Sequence, residues 1–339
     1  MTANLAPLAP PAAIFLARHG LSDAKLEPLP ADASPRSYCR LPGQGQLLME
    51  DRTDPVGYAA FIRLARHLRG LGLSAPRVLG SDPAAGLALI EDFGTDTYGR
   101  LLASGHDEQA LYALAIDALA HLHGHPDAAD VSVPSYDMET LLEEVSRFSH
   151  WFVPEFAPDL DVAVFDARFR QMWASALTPL EMAPRTLVLR DFHIDNLMLL
   201  DGRSGVAACG LLDFQDGVIG AGEYDLASLL QDARRDLAPG LEEKMLDRYL
   251  HAVPNSCGTR GDILHRYHLM AAQRHTRLMG QFIRLMRRDH KPGYMKFMPR
   301  VAGQMQTALT AAGLTQISDF LDARLPGWRA AGEKLATLS

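Results

Sequence analysis

Residues 186–216, TLVLRDFHIDNLMLLDGRSGVAACGLLDFQD, limit what this chain can fold into more than any other stretch. Thr186–Leu189 is an apolar run containing β-branched residues and reads as a short buried strand. A polar loop follows, Arg190-Asp191-Phe192-His193-Ile194-Asp195-Asn196, with Asn196 five positions after Asp191. Two further apolar runs, Leu197–Leu200 and Val206–Leu212, flank Asp201-Gly202-Arg203-Ser204-Gly205, a hairpin turn. Asp213-Phe214-Gln215-Asp216 stands where the second run ends. A turn between two strands returns the chain, so Asp213 comes back towards Asp191 and Asn196. Phosphoryl transfer needs three such oxygens, one to accept a hydroxyl proton and two to hold Mg²⁺. A single aspartate in a turn is ordinarily a turn residue; the order of the whole stretch carries the reading.

These residues resemble the aminoglycoside-phosphotransferase-type small-molecule kinases, relatives of the protein kinases. Their catalytic loop reads H-G-D-x-x-x-x-N and is followed by a D-F-x-D motif. Leu189-Arg190-Asp191 occupies the first triplet here, so leucine stands in place of the histidine and Arg190 in place of the glycine. The resemblance implies Asp191 as catalytic base and Asn196 and Asp213 as metal ligands. It also implies an α+β, bilobal, protein-kinase-like fold, with a small β-rich N-terminal lobe and a large, mainly helical C-terminal lobe. On that plan residues 1–92 form the nucleotide-binding lobe and residues 93–339 the catalytic and acceptor-binding lobe.

The rest of the chain fits such a plan. Leu26–Leu29, Ser37–Leu41, Gln46–Met49, Arg77–Gly80 and Leu87–Ile90 read as strands, with a helix over Val56–Leu71 and a short one over Ala12–His19. The loop before Ser37 sits where a kinase covers the phosphates but has no glycine, so Ser34, Ser37 and Arg36 are the available donors. A solvated hairpin loop is the alternative there. The third strand carries no lysine, and Val56–Leu71 carries Arg63, Arg66 and Arg69 but no acid. Losing both partners of a kinase's Lys–Glu pair together is coherent, because either one left alone and buried is costly. Arg36 or Arg40 is expected to take over part of the lysine's work. Glu91 and Phe93 lie in the expected hinge, where main-chain groups meet adenine.

Beyond Gly94 the pattern turns helical, over Gln109–His123, Met138–Phe152 and Val162–Leu177. His121, His123 and His125 alternate, a spacing that does not put all three on one helix face, so a helix end is the simpler reading than a metal site. Tyr224-Asp225-Leu226-Ala227 begins another helix and resembles a family segment whose aspartate, here Asp225, steadies the catalytic loop. Asp216 and Glu223 are candidates to face an acceptor hydroxyl, against the default of solvated loop acids. Residues 260–300 hold ten Lys or Arg and two Asp. Arg274, Arg277, Gln281, Arg284 and Arg288 fall on one helix face. That face is either a solvated stripe or, with Arg274 the named candidate, a site for an anionic acceptor group.

The loop through Arg40, the lysine-free strand, and Gln273-Arg274-His275 with Gly280 and Phe282 resemble one branch in particular, the bacterial N-acetylmuramate/N-acetylglucosamine anomeric kinases. The branch implies ATP and Mg²⁺ as cofactors, a nucleotide and an amino sugar as partners, a sugar 1-phosphate product and a place in peptidoglycan recycling. A same-fold kinase for an aminoglycoside, choline or another sugar, and a non-catalytic nucleotide-binding relative, stay open. A net charge of −8 argues against nucleic-acid binding. Leu5–Ala17 is too short to span a bilayer, and no Lys or Arg precedes it. With three scattered cysteines, these features lead us to expect a cytoplasmic enzyme with no membrane contact and no obligate protein partner.

Overall fold

Asp54 opens the helix of the sheet region by accepting a hydrogen bond from the Gly57 amide at 2.8 Å, and Pro55 takes the first helical position, where a missing N–H is harmless. Local signals of this kind set most of the elements. The computed structural model describes residues 10–30 and 36–336. In chain order they form α1 (Pro10–Arg18), β1 (Glu27–Pro28), β2 (Ser37–Leu41), β3 (Gln46–Glu50), α2 (Pro55–Gly70), β4 (Val78–Asp82) and β5 (Leu87–Glu91). Next come α3 (Tyr98–Ala103), α4 (Glu108–Gly124), α5 (Met138–Arg147), α6 (Val153–Phe156), α7 (Val162–Leu177), β6 (Thr186–Val188), β7 (Leu197–Leu199), β8 (Cys209–Leu211) and β9 (Val218–Gly220). The chain closes with α8 (Glu223–Leu230), α9 (Leu241–Ala252), α10 (Arg260–Arg287), α11 (Met298–Ala311), α12 (Thr315–Arg324) and α13 (Ala331–Ala336).

Contacts divide the chain into two units, residues 1–118 with 194–217, and residues 119–193 with 218–339. The cut differs from a boundary at 92/93. The β7–β8 hairpin and the segment after β5 go with the sheet, because Thr97 bridges Met198, Ser74 bridges Gly210 and the Leu199 amide donates to the Asp96 carbonyl at 3.0 Å.

In the first unit the strands form one antiparallel sheet in the order β1-β2-β3-β5-β4. Phe15 and Leu16 of α1 pack with Leu41, Leu48, Leu87 and Leu89. On α2, Tyr58, Phe61, Leu64 and Leu68 are buried, and the Tyr58 hydroxyl donates to the Leu87 carbonyl at 2.6 Å. β7 and β8 pair from Leu197↔Leu211 to Leu199↔Cys209, so the run Val206–Leu212 begins as a 3₁₀ turn and only its end is strand.

The second unit is helical apart from β6 and β9, which pair antiparallel from Thr186↔Gly220 to Val188↔Val218. β9 lies within residues 217–222, which include Gly217, Gly220 and Gly222. The helix expected over Met138–Phe152 ends at Arg147 and continues as one π-helical turn, Phe148–Phe152. α10, 28 residues long, starts in a capping box between Thr259 and Asp262 and is buried along much of its length. Its arginine face is therefore not a solvated stripe: Arg274 is buried and Arg277 nearly so. Gly280 explains the close packing, since a Cβ there would lie 2.1 Å from the Arg147 carbonyl oxygen. Among the described residues no helix is long and apolar enough to cross a membrane.

Candidate active site

In the first unit the β7–β8 hairpin fixes two of the expected site residues. The Leu212 amide donates to the Asn196 carbonyl at 2.9 Å, which extends the ladder and holds Asn196 and Asp213 at the same end of the hairpin. The Asn196 Nδ2 donates to the Asp213 Oδ2 at 3.4 Å. Asp213 has a φ of 57°, a left-handed backbone that aspartate tolerates better than most residues. Phe214 anchors the turn by stacking on Phe61 of α2, ring centroids 5.2 Å apart.

Gln215, the unassigned x of D-F-x-D, connects this pair to an arginine. Its Nε2 donates to Asp213 Oδ1 at 2.7 Å, and its Oε1 accepts from Arg36 Nη1 at 2.9 Å. Arg36 is buried, its Nε donates to Asp51 Oδ2 at 3.0 Å, and its guanidinium lies 5.3 Å from the Phe61 ring centre. The first unit therefore has a buried Arg–Asp pair, one member just before β2 and the other just after β3, wired to a metal-type carboxylate through a neutral amide. The other expected substitute, Arg40, is engaged elsewhere. It grips Asp92 with two bonds of 2.5 and 2.9 Å and donates to the Gly94 carbonyl at 2.8 Å. Ser34 lies outside the described residues. Glu91 pairs its carboxylate with Arg203, while Phe93 lies under the Arg203 guanidinium at 5.3 Å. The main-chain amides of Glu91 and Asp92 already donate to Arg77 and Gly45.

A carboxylate beside a side-chain amide is a hard oxygen donor set. Two protein ligands with the remaining positions left to water and phosphate is the usual arrangement for Mg²⁺ on a nucleotide, so these residues fit the ion. No group of three or more His, Cys, Asp or Glu suited to a metal occurs among the described residues.

The second unit holds Asp191. Arg190 has a φ of 70°. Fully buried Asp225, in the first turn of α8, accepts from the Leu189 and Arg190 amides at 2.6 and 2.8 Å. Ser228 Oγ donates to the Arg190 carbonyl at 3.3 Å. The left-handed turn at Arg190 is thus held on both its amide and its carbonyl side. His123 lies against Asp225, with Nε2 at 3.9 Å, and its Nδ1 is 2.9 Å from the Tyr249 hydroxyl. That contact ties His123 to the turn that Asp225 holds. Burial, reinforced by Arg234, pushes His193 down to about 3, so it is neutral at physiological pH.

Beside this loop lies an arrangement that no motif announced. Glu144 of α5, 2% exposed, accepts from Arg190 and from Arg277 Nη1 (3.2 Å) on one oxygen. On the other it accepts from the Tyr136 hydroxyl (2.5 Å) and Gln273 Nε2 (3.3 Å). Burial alone would raise its carboxyl, but Arg277, Arg190 and the Tyr136 hydroxyl outweigh it and hold Glu144 at about 2. Arg274, by contrast, is turned to the Gln231 carbonyl at 3.3 Å. Glu223 is buried and its carboxylate is taken by Arg266 at 2.8 Å, which removes it from the exposed loop acids. Asp216 is exposed.

Residues 25–262 match the APH family, described as the phosphotransferase enzyme family, and the chain belongs to it. It is an enzyme of the kinase class with the small-sheet, mainly helical fold of that family. Within the family it is 35% identical over 350 residues to the N-acetylmuramate/N-acetylglucosamine kinase of Caulobacter vibrioides, covering 93% of this chain and 96% of the relative. It is 32% identical to the kinase of the same name from Neisseria meningitidis, over 80% of this chain and 81% of that one. A choline/ethanolamine kinase family protein from Mesorhizobium loti shares the fold, with a TM-score of 0.60 at 17% identity over 93% of this chain and 98% of that one.

Proposed function

We propose that this enzyme transfers the γ-phosphoryl group of ATP to the anomeric hydroxyl of N-acetylmuramate or N-acetylglucosamine, giving the sugar 1-phosphate and ADP. The observation that carries the acceptor is the near-full-length identity to kinases named for these two sugars. Residues 1–92 serve as the nucleotide-binding lobe and residues 93–339 as the catalytic and acceptor lobe.

In this reading Asp191 takes the proton of the anomeric hydroxyl as its oxygen bonds to the γ-phosphorus and the bond to the β–γ bridging oxygen breaks. Asn196 and Asp213 hold Mg²⁺, which when bound offsets charge on the nucleotide phosphates. Arg36, through Gln215, keeps the Asp213 carboxylate in one orientation, and Asp225 keeps Asp191 on a rigid turn. Ser34 and the main chain around Glu91 and Phe93 are assigned to the nucleotide; Asp216 is assigned to the acceptor. The enzyme works in the cytoplasm, where ATP is supplied, and its product feeds reuse of cell-wall sugars.

Incubation with Mg·ATP and a panel of amino sugars, followed by phosphorus NMR of the product, tests the reading. A phosphate coupled to the anomeric proton is expected. Turnover of choline or an aminoglycoside with none of either amino sugar would overturn it.

A further inference from the structure

Arg277, Gln281 and Arg284 fall one and two turns apart on α10, and Arg147 ends α5 against the same stretch. Gly280 allows this, because the Arg147–Phe148 backbone occupies the space a side chain would need. The outcome is a crowd of like charges. Arg147 Nη1 and Arg284 Nη1 both donate to one neutral oxygen, Gln281 Oε1, at 3.2 and 3.3 Å. Arg147 Nη2 is 4.0 Å from Glu144 Oε1, the oxygen that Arg190 and Arg277 already occupy.

The group is balanced unevenly: burial would lower Arg277, but Tyr224, Glu144, Tyr136 and Asp191 hold its guanidinium above the usual value, while Arg147 is held below it. Glu144 is saturated on both oxygens, and Asp289, whose charge reaches Arg284, has both of its oxygens on Arg288 at 2.7 and 3.0 Å. Burial, with Arg277 next in weight and Arg284 and Arg190 adding, lowers the Arg147 guanidinium despite Glu144. A protein holds guanidiniums together in this way at a cost that a bound anion removes. Arg277 Nε is buried without a hydrogen-bond partner among the described residues, and the Arg147 side chain is 30% exposed, so the group opens to solvent. The charge of Asp191, the proposed base, also reaches Arg277.

We propose that Arg147, Arg277 and Arg284 form a carboxylate subsite of the acceptor pocket. The planar fork of arginine matches a carboxylate with two parallel bonds. Of the two acceptors, N-acetylmuramate alone carries one, on its lactyl ether; the inference rests on the amino-sugar reading above. It makes the enzyme selective for the acid.

Steady-state kinetics with both sugars test this. Arg284→Gln is expected to lower the ratio of kcat/KM for N-acetylmuramate over that for N-acetylglucosamine at least tenfold, chiefly through KM for the acid. An unchanged ratio, or a rise in KM for ATP in place of the sugar, overturns the subsite. A second measurement needs no variant: the unaltered enzyme is expected to use N-acetylmuramate at least tenfold better than its methyl ester. Equal use of acid and ester overturns the subsite while turnover of both sugars leaves the amino-sugar reading standing. Turnover of neither sugar overturns both.

Discussion

Arg36 in the first unit and Arg277 in the second, one buried and one nearly so, are both guanidiniums bonded to a carboxylate, yet their surroundings differ in charge. Arg36 is bonded to the acid Asp51 and to the neutral Gln215, which passes the constraint to Asp213. Arg277 shares Glu144 with Arg190, feels the charge of Asp191 and lies among further arginines, of which Arg147 is held below its usual value. A balanced pair is complete and fixes a neighbour in place. An unbalanced cluster is incomplete and calls for a partner of opposite sign. Counting charges around a buried arginine thus separates a positioning device from a binding one.

The largest effects should come from the acids that the two networks serve, and the two should fail differently. Asp191→Asn is expected to lower kcat by about 10²–10⁴ with Mg·ATP affinity retained, the size of a lost general base. Asp213→Asn is expected to lose Mg-dependent nucleotide binding as well, which calorimetry with a non-hydrolysable ATP analogue separates. Equal binding in both variants would erase the contrast.

Glu144→Gln tests the unbalanced side. Removing the acid among several guanidiniums should cost about 3–5 kcal/mol in urea unfolding. Glu144 is held at about 2, below its usual 4.5, so its contribution is complete above the usual value and is lost as pH falls towards 2. The stability gap between wild type and variant should therefore shrink from pH 5 downward. A gap constant with pH would detach Glu144 from its arginines.

Arg36→Gln tests the balanced side. Loss of a charge-assisted bond is worth about 1.5–3 kcal/mol, so Mn²⁺ affinity in the presence of nucleotide, read by EPR, should weaken roughly ten- to hundredfold. Arg36→Lys should not restore it, since an ammonium cannot present the fork that spans Asp51 and Gln215. The smallest effect is expected at Arg40. Its partly exposed pair with Asp92 is worth about 1 kcal/mol or less, and Arg40→Ala should leave ATP affinity within about threefold of wild type. A large loss would put Arg40 back among the nucleotide ligands.

Much of the fold was legible because its signals are local. Ser37–Leu41, the hairpin around Gly202, and Val162–Leu177 follow from alternation, turn residues and helical spacing. β9 was not, because Val218–Gly220 is three residues long and is strand only through pairing with β6, thirty or more residues earlier. The π-helical turn after Arg147 begins where that backbone lies against Gly280 of α10, a contact over a hundred residues away in sequence.

The same limit applies to the site. Asp191, Asn196 and Asp213 stand out because their spacing is a motif. Glu144 sits in Glu143-Glu144-Val145 and reads as a surface helix acid, while the residues that bury it come from Tyr136, Arg190, Gln273 and Arg277. Gln215 occupies a position the motif leaves blank, and its role appears only once Arg36 is beside it.

Gly280 has no side chain with which to touch the guanidiniums, yet its lone hydrogen lets α10 lie against the end of α5. A methyl group there would spread the guanidiniums and detune the choice of sugar without altering one polar atom. With the proposed subsite, substrate preference is partly written in a backbone spacing, at a position that a survey of ligand-touching side chains would pass over.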